Sequence, residues 1–332
     1  MPKISMRDAL HDALHEEMAR DETILILGED VITHGGPYAI TRGIHEKYPG
    51  RIRQTPISEA AIVGMAVGAA LCGMRPVAEI MYVDFITCAM DEVVNQMAKV
   101  RYMFGGQTDV PVVLRLPSGS ARLIAAQHSQ SLEAWFTHVP GLVVLAPSSP
   151  YEAKGLLISA IRENNPVIFL EHKLLYVGKK APVPEEAYAI PIGKAAIKRK
   201  GRDVTLVATL AMLDSALQAA TRLEVEGIDV EVIDPRTLRP LDEETIIKSV
   251  KKTSRLVIAH EGWKSWGFGA EVSAMVAEKA IDWLDAPIVR VAARDTPMPY
   301  NDKLERLVIP STEDIVEAVK ALMLRDGAQA AV

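Results

Sequence analysis

The sequence predicts an α/β chain of two doubly wound domains on mainly parallel sheet, and three observations lead there. Short β-branched or aliphatic runs, apolar throughout rather than alternating, recur along the chain. That is how strands covered on both faces read. Stretches of helical period stand between them, giving the βαβα order of an open parallel sheet. A proline-bearing break near the middle then separates one such series from a second.

In chain order, "MPKISMRDALHDALHEEMARD" is an amphipathic helix pattern with acidic residues and no apolar signal core, so no secretory peptide is visible. Strands are expected at 23–30, 75–81, 110–117, 141–149 and 165–172. From 176 to 193 the chain has prolines and no helical period, and reads as an extended connector. Beyond it, strands are expected at 203–209, 230–235, 255–261 and 287–295, with helices at 212–226, 242–252, 269–282 and 312–324. The expected division is a first domain over 1–176, a linker over 177–193 and a second domain over 194–332. Ligands of doubly wound sheets lie outside the carboxyl ends of the strands. There the sequence places "GED" at 28–30 and "HEGW" at 260–263.

With 332 residues, 49% hydrophobic and 24% charged, the chain is long enough for two cores. A net charge of −6 offers no global basic field for nucleic acid or an anionic membrane. The basic run "KRKGR" at 198–202 reads as a solvated hairpin or linker. Cys72 and Cys88, the only cysteines, make no metal-ligand spacing and suit a reducing cytoplasm. The charge-free stretch 60–74 is shorter than the roughly 18 residues that span a bilayer.

That stretch opens on Glu59. Ser58 is a good N-cap, which places Glu59 in the first helical turn. An acid there complements the helix dipole, worth about 0.3–1 kcal/mol. The helix has no polar face, so it is expected to be surrounded by protein. Gly64 and Gly68, four apart on one face, hint at a tight helix contact, including one between subunits. A shielded carboxyl at such a place is also a proton partner for a heterocycle. The helix terminus lowers its pKa and apolar burial raises it, and both readings stand at this point.

"TPISE" with its glycine-bearing apolar helix, "RPVAEIMYVDF", "RYMFGG", "AAQHSQSLEAWFTHVPGL" and "IRENNPVIFLEH" resemble the beta subunit of thiamine-diphosphate-dependent 2-oxo acid dehydrogenases of the transketolase-like superfamily. "VIDPRTLRPLD", "HEGWKSWGFGAEV" and "DTPMPYN" extend that resemblance through the second half. It implies a pyrimidine-binding domain followed by a transketolase C-terminal-like domain. It also implies that Glu59 hydrogen-bonds the aminopyrimidine ring nitrogen and so favours the tautomer that deprotonates the thiazolium carbon, with the cofactor as electron sink. Phe85 matches the aromatic packed against the pyrimidine, and Ile57 an apolar residue lining the same pocket. His128 matches a histidine associated with transfer of the acyl group to lipoyl, in a Gly-, Ser- and Ala-rich loop. Val112, Ala160, Glu163 and Asn165 match backbone ligands of a monovalent cation such as K+, although relatives commonly carry Asp at the place of Glu163.

The family's Gly-Asp-Gly motif for the Mg2+ that clamps the diphosphate is absent from this sequence. The resemblance therefore implies that a separate alpha subunit holds the diphosphate and the metal. The expected assembly has two alpha and two beta subunits and contacts a lipoyl acyltransferase core. Trp263, Trp266 and Trp283 are candidate interface anchors. The expected activity is that of a pyruvate dehydrogenase beta subunit in the cytoplasm. Acetoin dehydrogenase, branched-chain 2-oxo acid dehydrogenase and the C-terminal half of a split transketolase are the alternatives.

Overall fold

Six parallel strands organise the first half of the chain. A computed structural model describes residues 1–120 and 123–329, of which 325–329 are described by backbone alone. It divides into two units, Met1–Ser118 with Trp135–Ile192, and Gly119–Ala134 with Gly193–Val332.

The first unit begins with strand β1 (Lys3–Ile4) and helix α1 (Met6–Arg20), capped by the Ser5 side chain. Strand β2 (Ile24–Glu29), helix α2 (Ile44–Lys47), strand β3 (Ile52–Thr55), helix α3 (Glu59–Leu71) and strand β4 (Arg75–Glu79) follow. After a 3-10 stretch, Val83–Ala89, come helix α4 (Val100–Met103), strand β5 (Val113–Ser118) and the short helix α5 (Glu133–Thr137). Strand β6 (Val143–Leu145), helix α6 (Pro150–Arg162), strand β7 (Val167–His172) and strand β8 (Ala181–Pro182) complete it.

The sheet runs β6-β7-β5-β4-β2-β3, parallel throughout. Its strands were expected from their aliphatic runs, except β3, whose "IRQT" has two exposed polar residues at an edge. Helices α1 and α6 pack together over one face, burying Met6, Leu10, Leu14, Leu157 and Ile161. The segment expected as a bare connector runs extended but is held to its own unit. Strand β8 pairs antiparallel with β1, and the Tyr188 ring stacks on Tyr151 at 4.7 Å. The buried Lys154 ammonium donates to the Pro184 and Glu185 carbonyls at 3.0 Å each.

The second unit contains strands β9 (Ala196–Arg199), β10 (Val204–Ala208), β11 (Val230–Asp234), β12 (Thr237–Arg239), β13 (Leu256–Trp263) and β14 (Val289–Ala293). Its helices are α7 (Met212–Val225), α8 (Glu243–Thr253), α9 (Phe268–Ala280), α10 (Asp302–Val308) and α11 (Thr312–Gln329). The sheet order is β14-β13-β10-β11-β9, parallel except for β9. The basic run expected to be solvated is corrected here. Its first residues form the antiparallel edge strand β9, and Arg199 donates to the Val230 carbonyl and to Asp229. Long basic side chains at a sheet edge discourage further strand pairing. Among the described residues, no helix is long and apolar enough to cross a membrane.

Candidate active site in the first unit

Ile57 and Glu59 follow the carboxyl end of β3, and Phe85 lies on the 3-10 stretch that follows β4. Strand β3 passes through Pro56 and Ile57 straight into α3, so Glu59 is the first helical residue. Ser58 occupies the N-cap position, but its side chain makes no capping hydrogen bond; its carbonyl accepts the Ile62 amide at 3.0 Å. The Glu59 side chain is half-buried and Ile57 is 75% exposed. Glu29 ends β2, and burial, then Asp30, then Glu59 push its carboxyl above the usual range.

Helix α3 was expected to be surrounded by protein. This chain covers one side of it, burying Ile62, Val63, Ala66, Val67 and Ala70. Ala61, Gly64, Met65, Gly68 and Leu71 remain exposed on the other side. Half of this all-apolar helix is therefore left uncovered by its own chain.

The buried side packs against the 3-10 stretch that carries Phe85. Phe85 heads a series of rings. It meets Tyr82 edge-on at 5.6 Å, Tyr82 meets Tyr38 at 6.5 Å, and Tyr38 lies 4.4 Å from Tyr176. The Lys173 ammonium stands 5.3 Å from the centre of the Tyr82 ring. Such contacts fix ring orientation and are worth about 0.5–1.5 kcal/mol each beyond simple burial.

The series ends on a buried charge cluster. Parallel register places Glu79 beside Arg115, and Glu171 two residues farther along the neighbouring strand, on the same face. Arg115 donates to Glu79 Oε2 at 2.5 Å and to both oxygens of Glu171 at 2.7 Å. The Tyr176 hydroxyl donates to Glu171 Oε2 at 2.5 Å. Burial raises the Glu79 carboxyl out of the usual range, and the Arg115 charge only partly opposes it. Burial would lower the pKa of Arg115, but Glu171 and Glu79 hold it above its ordinary value. Burial, with Glu171 beside it, also drives the Tyr176 hydroxyl well up. One guanidinium between two carboxyls is balanced when Glu79 keeps its proton. Glu79 Oε1 is buried without a hydrogen-bond partner, against the backbone of Gly36. A Cβ at Gly36 would lie 2.1 Å from that oxygen, and Gly36 has φ +76°. Sequence reasoning missed this cluster, although its signal is visible: single charged residues inside otherwise aliphatic strands.

The four residues expected at a monovalent cation lie around the end of α6 and the starts of β5 and β7. The Val112 carbonyl accepts the Val167 amide at 2.8 Å, and the Ala160 carbonyl the Glu163 amide at 3.2 Å. The Glu163 carbonyl accepts Arg75 Nη2 at 2.6 Å, while Glu163 Oε1 accepts the Asn165 side-chain amide at 2.7 Å. Arg75 also donates to the Ile161 carbonyl at 2.7 Å, so a guanidinium already complements this helix C-terminus.

His128 is carried by the second unit. Its segment, 119–134, groups with Gly193–Val332, and its backbone amide reaches the Ala125 carbonyl at 3.3 Å. Leu123 and Ala125 both adopt left-handed backbone, φ +62° each, in the turn before it. His128 is half-buried. Of the tryptophans singled out as anchors, Trp266 is 93% exposed and Trp283 half exposed; Trp263 donates its indole N–H to the Thr296 carbonyl at 3.0 Å.

Residues 2–179 match the family model "Transketolase, pyrimidine binding domain" and residues 193–315 match "Transketolase, C-terminal domain". The chain is 49% identical over 319 residues to the "Pyruvate dehydrogenase E1 component subunit beta" of Rickettsia felis, covering 96% of this chain and 98% of that protein. It is 49% identical to the mitochondrial pyruvate dehydrogenase E1 subunit beta-1 of Arabidopsis thaliana, covering 97% and 90%. It is 46% identical to the beta subunit of the acetoin:2,6-dichlorophenolindophenol oxidoreductase of Cupriavidus necator, covering 97% and 98%. A solved split-gene transketolase, an inactive beta4 tetramer, superimposes with a TM-score of 0.80 at 23% identity over 97% of this chain and 99% of that one, a likeness of fold. The chain belongs to the transketolase-like family of E1 beta subunits of thiamine-diphosphate-dependent 2-oxo acid dehydrogenases.

Proposed function

We propose that this chain is the beta subunit of a pyruvate dehydrogenase E1 component and works with an alpha subunit in an assembly of two alpha and two beta chains. The observation that carries the reading is the placement of Glu59 at the start of α3, with Phe85 on the 3-10 stretch packed against that helix. A half-buried carboxyl, an aromatic ring and an exposed aliphatic side chain at Ile57 suit the edge and faces of an aminopyrimidine. Thiamine diphosphate, when bound, supplies the electron sink for decarboxylation of the 2-oxo acid.

Glu59 holds the proton shared with the pyrimidine ring nitrogen, and the helix start fixes its position. Phe85 packs on the ring and Ile57 keeps water from its edge. His128 moves a proton during transfer of the acyl group to lipoyl on an acyltransferase core. The alpha subunit supplies the Mg2+ and diphosphate half, because this sequence has no Gly-Asp-Gly motif. The carbonyls of Val112, Ala160, Glu163 and Asn165 are the proposed ligands of K+. The unpaired thiols of Cys72 and Cys88 favour a reducing compartment, and we place the enzyme in the cytoplasm.

A second reading, the beta subunit of an acetoin dehydrogenase, is favoured by the relative from Cupriavidus necator. Reconstitution with the alpha subunit separates the two: turnover of pyruvate should exceed turnover of acetoin and of branched-chain 2-oxo acids. In that enzyme Glu59→Gln should slow decarboxylation by about 10²–10⁴-fold. Near-normal decarboxylation by the variant would sink the role given to Glu59.

A further inference from the structure

The motif "HEGW" at 260–263 takes no part in the chemistry above, yet it is built around the segment that carries His128. Glu261, 8% exposed at the carboxyl end of β13, directs Oε1 at both ends of that segment. It accepts the backbone amide of Ser120 in a short hydrogen bond and faces the Ser131 hydroxyl at 3.5 Å. Between those two points the Gly119 amide donates to the Gln130 carbonyl at 2.9 Å, closing the base of the loop.

His260 makes a second approach to the same segment. The Gly269 amide donates to His260 Nε2 at 3.3 Å, so the neutral ring carries its proton on Nδ1. Nδ1 faces Glu133 Oε1 at 3.8 Å, and both side chains are buried. Gly262 and, beyond the motif, Gly267 make room for these groups. A Cβ at Gly262 would come 2.4 Å from Glu133 Oε1, and one at Gly267 would come 2.6 Å from His260 Cε1.

We propose that Glu261 is a positioning residue for acyl transfer: its carboxylate clamps the two ends of the loop that presents His128. This rests on the acyl-transfer role given to His128 above. Glu261 touches no reacting atom in this scheme; it acts by fixing Ser120 and Ser131.

The test uses the assembled alpha–beta enzyme and the variants Glu261→Ala, Glu261→Asp, Glu261→Gln and His128→Ala. Hydrogen exchange is read at Ser120 and at residues 123–131. Decarboxylation with an artificial electron acceptor is measured beside acylation of lipoyl domain. Glu261→Ala and Glu261→Asp, which loses one methylene of reach, should raise exchange about tenfold. They should also lower lipoyl acylation about tenfold, with artificial-acceptor decarboxylation little changed. Glu261→Gln keeps an acceptor oxygen in place and should restore most of both. Should Glu261→Ala fail to fold, the charge-preserving Glu261→Asp still reports. Wild-type exchange in both shortened variants would overturn the clamp whatever His128 does. Faster exchange with unchanged lipoyl acylation, while His128→Ala is impaired, would overturn the positioning role. If His128→Ala itself acylates lipoyl normally while exchange rises, the clamp stands and the role given to His128 falls.

Discussion

Tyr176 donates its hydroxyl to Glu171 Oε2 at 2.5 Å, and this one hydrogen bond joins the ring series beneath Phe85 to the buried charge cluster. Hydrogen bonds to a charged acceptor are worth about 1.5–3 kcal/mol when buried. Tyr176→Phe keeps the stacking on Tyr38 and removes only the donor. It should lower the urea unfolding free energy by about that amount. An unchanged midpoint would show that Arg115 alone satisfies Glu171.

Arg115→Met should be far more damaging, costing about 3–5 kcal/mol, because it leaves two carboxyls buried without their cation. Thermal unfolding of the two variants side by side gives the ranking. A loss for Arg115→Met no larger than that for Tyr176→Phe would refute the cluster as the source of the stability.

Glu79 gives a pH prediction whose sign follows from its raised pKa. The folded chain keeps the Glu79 proton to higher pH than the unfolded chain does. The stability this group contributes is complete below its unfolded value, 4.5, and is lost as pH rises through the folded value. Glu79→Gln has no proton to lose, so its stability relative to the parent should increase as pH rises. Urea unfolding at acidic and at alkaline pH measures the difference; a gap independent of pH contradicts a proton on Glu79.

Gly36→Ala tests the ceiling over that cluster. A methyl would collide with Glu79 Oε1, and the left-handed backbone at φ +76° costs a non-glycine residue about 1–2 kcal/mol by itself. A lowered melting temperature, partly rescued when Glu79→Ala opens space, is the expected result. No rescue would mean that backbone strain alone explains the loss.

Glu29 reports on the site itself. Glu59 is the last of the three causes that raise its pKa. Glu59→Gln should therefore bring Glu29 part of the way back toward ordinary values, seen by NMR titration of the side-chain carboxyl. No movement would place the two carboxylates too far apart to share a site.

Much of this was legible in the sequence where interactions are local. The aliphatic runs of β2, β4, β5, β7, β10, β11 and β13 announce strands because burial on both faces leaves no polar alternation to confuse them. Glu59 could be placed at a helix start because "ISE" and the apolar stretch adjoin. Edge elements were not legible: β3 exposes Arg53 and Gln54, β9 is short and half basic, and both lose the aliphatic signature. Two features depend on pairing between distant residues. The grouping of 119–134 with the second unit rests on contacts such as Ser120 with Glu261. The meeting of Glu79, Arg115 and Glu171 needs the parallel register of three strands. The lone charges were visible in their strands, but no local pattern says which charge faces which.

The pairing of β1 with β8 sets an order of events at the ribosome. Lys3 lies opposite Pro182, so the first strand made waits for nearly the last residues of its own unit. The apolar face of α1, with Met6, Leu10 and Leu14, likewise waits for α6. Contacts so distant in sequence are slow to form and leave apolar surface open meanwhile. The nascent chain thus carries an uncovered amphipathic helix through most of the unit's synthesis, and the late-arriving strand β8 is the stitch that closes it.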